Sequence, residues 1–141
     1  MMELGRKARV LCVLKYLEQK SDENHSLTAA ELLDLLKKDG INAERKAIYD
    51  DIEVLREVGY QIGLSGGNNR GYYLQSREFS MPEVGLLIDA VLSAGFIPKG
   101  QTKSFVTKLQ GLLSVHQAKE LASRVCIENR AKSENDEVYS V

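Results

Sequence analysis

Residues 42–59 constrain this chain more than any other stretch: Asn-Ala-Glu-Arg-Lys-Ala-Ile-Tyr-Asp-Asp-Ile-Glu-Val-Leu-Arg-Glu-Val-Gly. Ile48, Ile52 and Leu55 recur at i, i+4 and i+7, so one face of a helix is apolar and must be covered. The opposite arc carries Lys46, Asp50, Glu53 and Glu57, flanked by Arg45 and Tyr49. Positive and hydrogen-bonding groups crowd the N-terminal end. Gly59 stops the helix, because glycine tolerates the left-handed conformation of a C-terminal cap. One reading is an ordinary amphipathic helix in a small bundle. The other is a helix that enters the DNA major groove by its first turns, where base edges are within reach. The choice rests on the neighbouring elements.

Val10, Leu14 and Leu17, widened by Leu11 and Val13, predict a helix over 6–20. Arg6, Lys7 and Arg9 cluster at its start, either as a solvated end or as a clamp on phosphate. After the polar loop 21–26, Thr28 and Glu31 have the spacing of a capping box, with Leu27 placed to staple onto Leu32. Leu32, Leu33, Leu35 and Leu36 form the apolar side of this second helix. Lys37 and Lys38 suit its negative end, and Gly40 ends it. The short link 41–43 then leads into the helix of about 44–58. Two helices joined by a short turn containing Gly fit helix-turn-helix geometry.

Past Gly59 the period changes from helix to strand. Residues 60–64 and 71–74 read as short strands, and Ser65-Gly66-Gly67-Asn68-Asn69-Arg70 between them is turn chemistry. Such a hairpin, over about 61–74, is either a plain surface hairpin or a wing whose tip residues Asn68, Asn69 and Arg70 reach phosphate or the minor groove. The whole succession predicts a winged helix-turn-helix over residues 1–78, although fold alone leaves function open.

The remainder reads as helix, so the expected class is mainly α with a small β-hairpin: a winged helix-turn-helix followed by a helical segment. Ser80 and Glu83 repeat the capping box, Phe79 can staple onto Val84, and Pro82 sits in the first turn. Leu87, Ile88, Val91 and Leu92 give this helix its apolar face. Ile97-Pro98-Lys99-Gly100 is a break. Phe105, Val106, Leu109, Leu112 and Leu113 predict another amphipathic helix, and Ser114 with Gln117 starts a last one through about residue 122. Residues 79–127 are therefore expected to form a helical linker or dimerisation segment, and residues 128–141 are polar and end without a stop signal. The apolar surface of three successive amphipathic helices makes a homodimer the expected partner state.

Composition narrows the function classes. At 43% hydrophobic and 28% charged residues in 141, the chain has the balance of a soluble globular protein. No apolar run approaches the roughly 20 residues that span a bilayer, and the N-terminus lacks a secretory signal pattern. Cys12 and Cys126 show no metal spacing and suit a reducing cytoplasm. The net charge is −1. Residues 1–75 hold 11 basic and 12 acidic side chains, and residues 76–141 hold 8 of each. Any DNA binding must then come from local clustering and from two copies on two half-sites.

Gly63-Leu64-Ser65-Gly66-Gly67 matches the G-x-S-x-G nucleophile pattern, but a turn follows where a helix is required, and only His116 lies downstream. No phosphate loop or dinucleotide fingerprint occurs. No catalytic residue, metal ligand or cofactor is expected. Asp51 faces the core side and is expected to serve a nearby Arg or a helix end.

Three segments together carry a family resemblance: Arg45-Lys46-Ala47-Ile48-Tyr49-Asp50-Asp51-Ile52-Glu53-Val54-Leu55, then Gly59-Tyr60-Gln61-Ile62, then Arg70-Gly71-Tyr72-Tyr73-Leu74. They resemble the N-terminal part of the WYL-domain transcriptional regulators, also grouped as DeoR-like or YafY-like. Phe79 with the capped helix that follows is similar to the helical segment after the wing there. Glu128–Asn135, followed by Val138-Tyr139, is similar to the entry into the WYL domain. The resemblance implies a bacterial, cytoplasmic, sequence-specific DNA-binding regulator that acts as a dimer on double-stranded DNA. Its effector is expected on a C-terminal domain, and this chain has no Trp for the signature of that domain. The expected DNA-binding residues are Arg45, Lys46, Tyr49, Asp50, Glu53, Asn68, Asn69, Arg70, Arg6, Lys7 and Thr28. Two positions depart from the pattern: Ala47 stands where Ser or Thr is frequent, and Asp50 where Arg is frequent. Asp50 can instead accept a hydrogen bond from cytosine N4. The alternative reading is a winged-helix module for protein–protein contact without DNA binding.

Overall fold

Three capping boxes and two glycine stops set out the helices. A computed structural model describes residues 5–67 and 70–124. Its elements are α1 (Arg6–Lys20), β1 (Leu27–Thr28), α2 (Ala29–Lys38), α3 (Arg45–Glu57), β2 (Ile62–Leu64), β3 (Gly71–Leu74), α4 (Met81–Ser93) and α5 (Lys99–Gln110). A further helix, α6, runs over 115–124. The architecture is mainly helical with one small antiparallel sheet.

The boxes close as expected. The Thr28 hydroxyl accepts from the Glu31 N–H while the Glu31 carboxylate accepts from the Thr28 N–H, and Ser80 with Glu83 does the same. Ser114 and Gln117 form the third box, at the start of α6. Gly40 and Gly59 both take positive φ, at 81° and 112°. Each lets the next residue bond back across the helix end: Ile41 N–H to the Leu36 carbonyl and Tyr60 N–H to the Leu55 carbonyl. That second bond shortens the expected strand: Tyr60 closes α3, and β2 starts only at Ile62.

Two other expectations change. Leu27 and Thr28 do more than start a helix, since they form a strand that pairs with β3. The sheet therefore has three strands in the order β1-β3-β2, with Leu27 opposite Tyr72 and Gly63 opposite Tyr73. Leu112 and Leu113 lie beyond α5, in the turn that links it to α6. The expectations for Val125–Ile127 and for residues 128–141 lie outside the described residues, as do Asn68 and Asn69.

The chain divides into two units, Met1–Glu78 and Phe79–Val141. In the first, α1, α2, α3 and the sheet share one core, with Val13, Leu17, Leu32, Leu36, Ile48 and Ile52 sealed from solvent. Ser21 ties the sheet to the end of α1: its hydroxyl donates to the Leu17 carbonyl at 2.5 Å and accepts from the Leu74 N–H at 3.1 Å. Arg77 donates to the Ser21 carbonyl at 2.6 Å, and burial pushes its pKa down against the opposing pull of Asp22 and Glu18. In the second unit, Val84, Ile88, Leu113 and Leu121 are buried together, with Val106 and Leu109 of α5 packed against them.

Candidate nucleic-acid interface

The apolar spacing of Ile48, Ile52 and Leu55 turns one face of α3 into the core and leaves the opposite face to solvent. Two arginines then hold the helix at its sides. Arg9 of α1 grips Asp51 with two nitrogens, at 2.7 and 3.0 Å. The hydrogen bond to Asp51 holds the Arg9 guanidinium above its usual pKa, although burial works in the other direction. Asp51 is thus a structural partner, and Arg9 is committed to it rather than free to clamp a phosphate. On the other side, Arg56 donates twice to the Ile62 carbonyl, at 3.1 and 2.9 Å, which joins α3 to β2. Glu53 takes a third bond from Arg56 at 2.9 Å.

What remains exposed on α3 is graded in charge. Arg45 and Lys46 open the helix, Asp50 follows a turn later, and Glu53 and Glu57 close it together with Arg56, which is paired with Glu53. Arg45, Lys46 and Arg70 make no ion pair among the described residues. A cleft lies on each side of this face.

On the hairpin side, a cleft of about 500 Å³ is lined by Thr28, Arg45, Tyr49, Leu64, Arg70 and Tyr72, with Ala29 and Ala30. It draws on the start of α2, the first turns of α3 and both strands of the hairpin with its loop. Two arginines line it and, among the described residues, no Asp or Glu does. Tyr49 and Tyr72 pack at a tilt with ring centroids 6.5 Å apart. Burial first, then Tyr49, pushes the Tyr72 phenol up. Thr28 is present in this cleft, but its hydroxyl is engaged with Glu31 on both sides, donating at 3.0 Å and accepting at 3.1 Å.

On the α1 side, a cleft of about 630 Å³ brings Arg6 and Lys7 to Lys46 and Asp50, with Arg9, Asp51 and Glu44 also lining it. Of the eleven residues expected to contact DNA, nine are described: Arg6, Lys7, Arg45, Lys46, Tyr49, Asp50, Glu53, Arg70 and Thr28. The structure separates them into two clefts and one ion pair. It also adds Tyr72 and Leu64, which the strand pattern marked only as hairpin residues. Arg56 was missed altogether. Its spacing of three from Glu53 is visible in the sequence, but its carbonyl partner in β2 is not.

Comparison with family models, with curated proteins and with solved structures returns no match for this chain. Among the described residues, no three His, Cys, Asp or Glu side chains gather to hold a metal ion. No helix there is long and apolar enough to cross a membrane.

Proposed function

We propose that this chain is a sequence-specific DNA-binding regulator of the winged helix-turn-helix kind, with α3 as recognition helix and the β2–β3 hairpin as wing. One observation carries the reading: Arg45, Tyr49 and Arg70 come from two separate elements to a cleft that, among the described residues, no Asp or Glu lines. A phosphodiester backbone needs such unopposed cations. The charge gradient along α3 fits entry by its N-terminal turns, with the acidic end leaning away from the groove. Lys46 and Tyr49 then read bases, Asp50 accepts from cytosine N4 or adenine N6, and Arg6, Lys7 and Arg70 hold phosphates. Thr28 and Glu53 keep structural roles as helix cap and Arg56 partner. With a net charge of −1, one copy binds weakly, so the reading is of two copies on two half-sites.

The test begins by selecting bound sequences from a random DNA pool and then titrates the selected site. Lys46→Ala and Tyr49→Ala are expected to weaken that site by about 1–3 kcal/mol each and to relax sequence preference. Arg70→Ala is expected to weaken all sequences alike and to lower the salt slope by ~0.9. Unchanged isotherms for all three folded variants would sink the assignment. A second reading, protein–protein contact through this module, draws on Val54 and Val58, which stand exposed beside Glu57 at the far end of α3. It requires binding to a protein that is insensitive to salt, and no DNA selected from the pool.

A further inference from the structure

The second unit sorts its charge by segment. Residues 79–98 contain Glu83 and Asp89 and no Lys or Arg. Residues 99–119 contain Lys99, Lys103, Lys108 and Lys119 and no Asp or Glu. The unit also leaves much apolar surface uncovered. Among the described residues it buries four apolar side chains, and it exposes seven large ones, from Leu86 to Val115. Among the described residues of the first unit the balance is thirteen buried to six exposed, so the excess belongs to the helices after residue 78.

These exposed groups form two shapes. On α4, Leu86 and Leu87 follow Glu83 by three and four residues, with Ala90 a further turn on, so all four share one face. Leu86 is 71% exposed. This is a ridge, apolar along its length and acidic at its start. Between α4 and α5, Val91, Ile97, Phe105, Leu109 and Leu112 line an open groove of about 480 Å³, and Lys108 lines it with them. Lys108 makes no ion pair among the described residues. α5 itself has no buried residue.

We propose that the α4 ridge of one copy seats in the α4–α5 groove of a second copy, and reciprocally, about a two-fold axis. An interface of that symmetry needs both halves on the same chain, so that each surface meets its complement twice. Ridge and groove are both apolar, and their charges, Glu83 on one and Lys108 on the other, are opposite. The exposed area is of the kind that marks contact surfaces rather than scattered single side chains. The seating would supply the second copy used in the DNA reading, but it stands on the helices alone, and its test contains no DNA.

The test is sedimentation equilibrium of the full 141-residue chain. The mass is expected to rise with concentration towards that of two chains. Leu86→Asp spoils the ridge and Phe105→Asp the groove. Each is expected to raise the dissociation constant by about thirtyfold or more, the effect of losing a central contact. Leu11→Asp, at an exposed apolar site on α1, is expected to leave the mass unchanged. Mixing the two disruptive variants is the decisive step. The intact ridge of one then meets the intact groove of the other, and association stronger than either variant alone is expected. Circular dichroism checks the fold of each. Where Phe105→Asp loses helicity, Lys108→Glu in the groove lining takes its place. A wild-type chain that stays monomeric at high micromolar concentration overturns the proposal and leaves the groove to residues after 124 or to another protein. So does a dimer that neither ridge nor groove variant weakens, or a mixture that shows no recovery.

Discussion

Arg9 and Asp51 lie 42 residues apart and together set where α3 stands against α1. Their side chains are only 16% and 6% exposed, so the pair is largely dry. Taking one charge away strands the other, and the two losses are not equal. Asp51 cannot reach water without moving α3, whereas Arg9 has a long stem and sits nearer the surface. Arg9→Met is expected to cost about 3–5 kcal/mol, and Asp51→Leu less. The double variant is expected to be more stable than Arg9→Met alone, because no buried charge is then left without its partner. Urea denaturation of the three variants reads this directly, and additive losses would mean that the pair contributes nothing as a pair.

Among the elements, the capped helices share one device at three places, and the box at α4 is the most exposed to solvent conditions. Ser80→Ala is expected to cost about 1 kcal/mol of stability. Glu83 adds a pH dependence. The Ser80 backbone N–H, then the Ser80 hydroxyl, holds its carboxyl below the usual range. A carboxyl whose folded pKa is depressed stabilises above its unfolded pKa, about 4.3, and loses that contribution as the pH falls through the folded value. Glu83→Gln keeps an acceptor for the Ser80 N–H but has no proton to take up. Its stability is therefore expected to fall less than that of the wild type between neutral pH and pH values below about 4. Melts followed by circular dichroism across that range test the difference. Equal slopes would mean that the carboxylate is not held by the cap.

For the molecule as a whole, charge is arranged rather than accumulated. Nineteen basic and twenty acidic side chains nearly cancel, yet Arg45, Lys46 and Arg70 make no ion pair among the described residues, and Glu44 and Asp50 line the α1-side cleft rather than the hairpin-side one. In the proposed DNA reading, a single copy offers few such cations, so affinity for a long operator comes from linking two of them. The second copy binds at an effective concentration set by the linkage, and avidity of that kind is worth about 10²–10⁴. Leu86→Asp, far in sequence from α3, is therefore expected to leave binding to one half-site unchanged and to weaken binding to a paired site by about a hundredfold. Fluorescence anisotropy with both lengths of DNA measures the ratio. A loss on the single half-site would show that Leu86 acts through the fold and not through pairing of copies.

Much of the secondary structure follows from the sequence because its signals are local. A capping box needs two residues three apart, a glycine stop needs one, and the face of a helix needs a period. These account for the starts of α2, α4 and α6, for the ends of α2 and α3, and for the position of the hairpin. They do not reach across the chain. That Leu27 and Thr28 become a strand depends on β3, more than forty residues on, whose Gly71 lies so close to Ser26 that a side chain there would collide with it. Arg9 reads as one more cation at a helix start until the fold brings Asp51 to it, and Arg56 reads as a surface residue until the Ile62 carbonyl arrives. The list of candidate contact residues was legible as a list. Its division into a hairpin-side cleft with Arg45, Tyr49 and Arg70, and an α1-side cleft with Arg6, Lys7 and Lys46, is the work of packing. Sequence spacing determines which face of a helix a residue occupies, but only the burial of the opposite face against a particular partner decides what that residue meets.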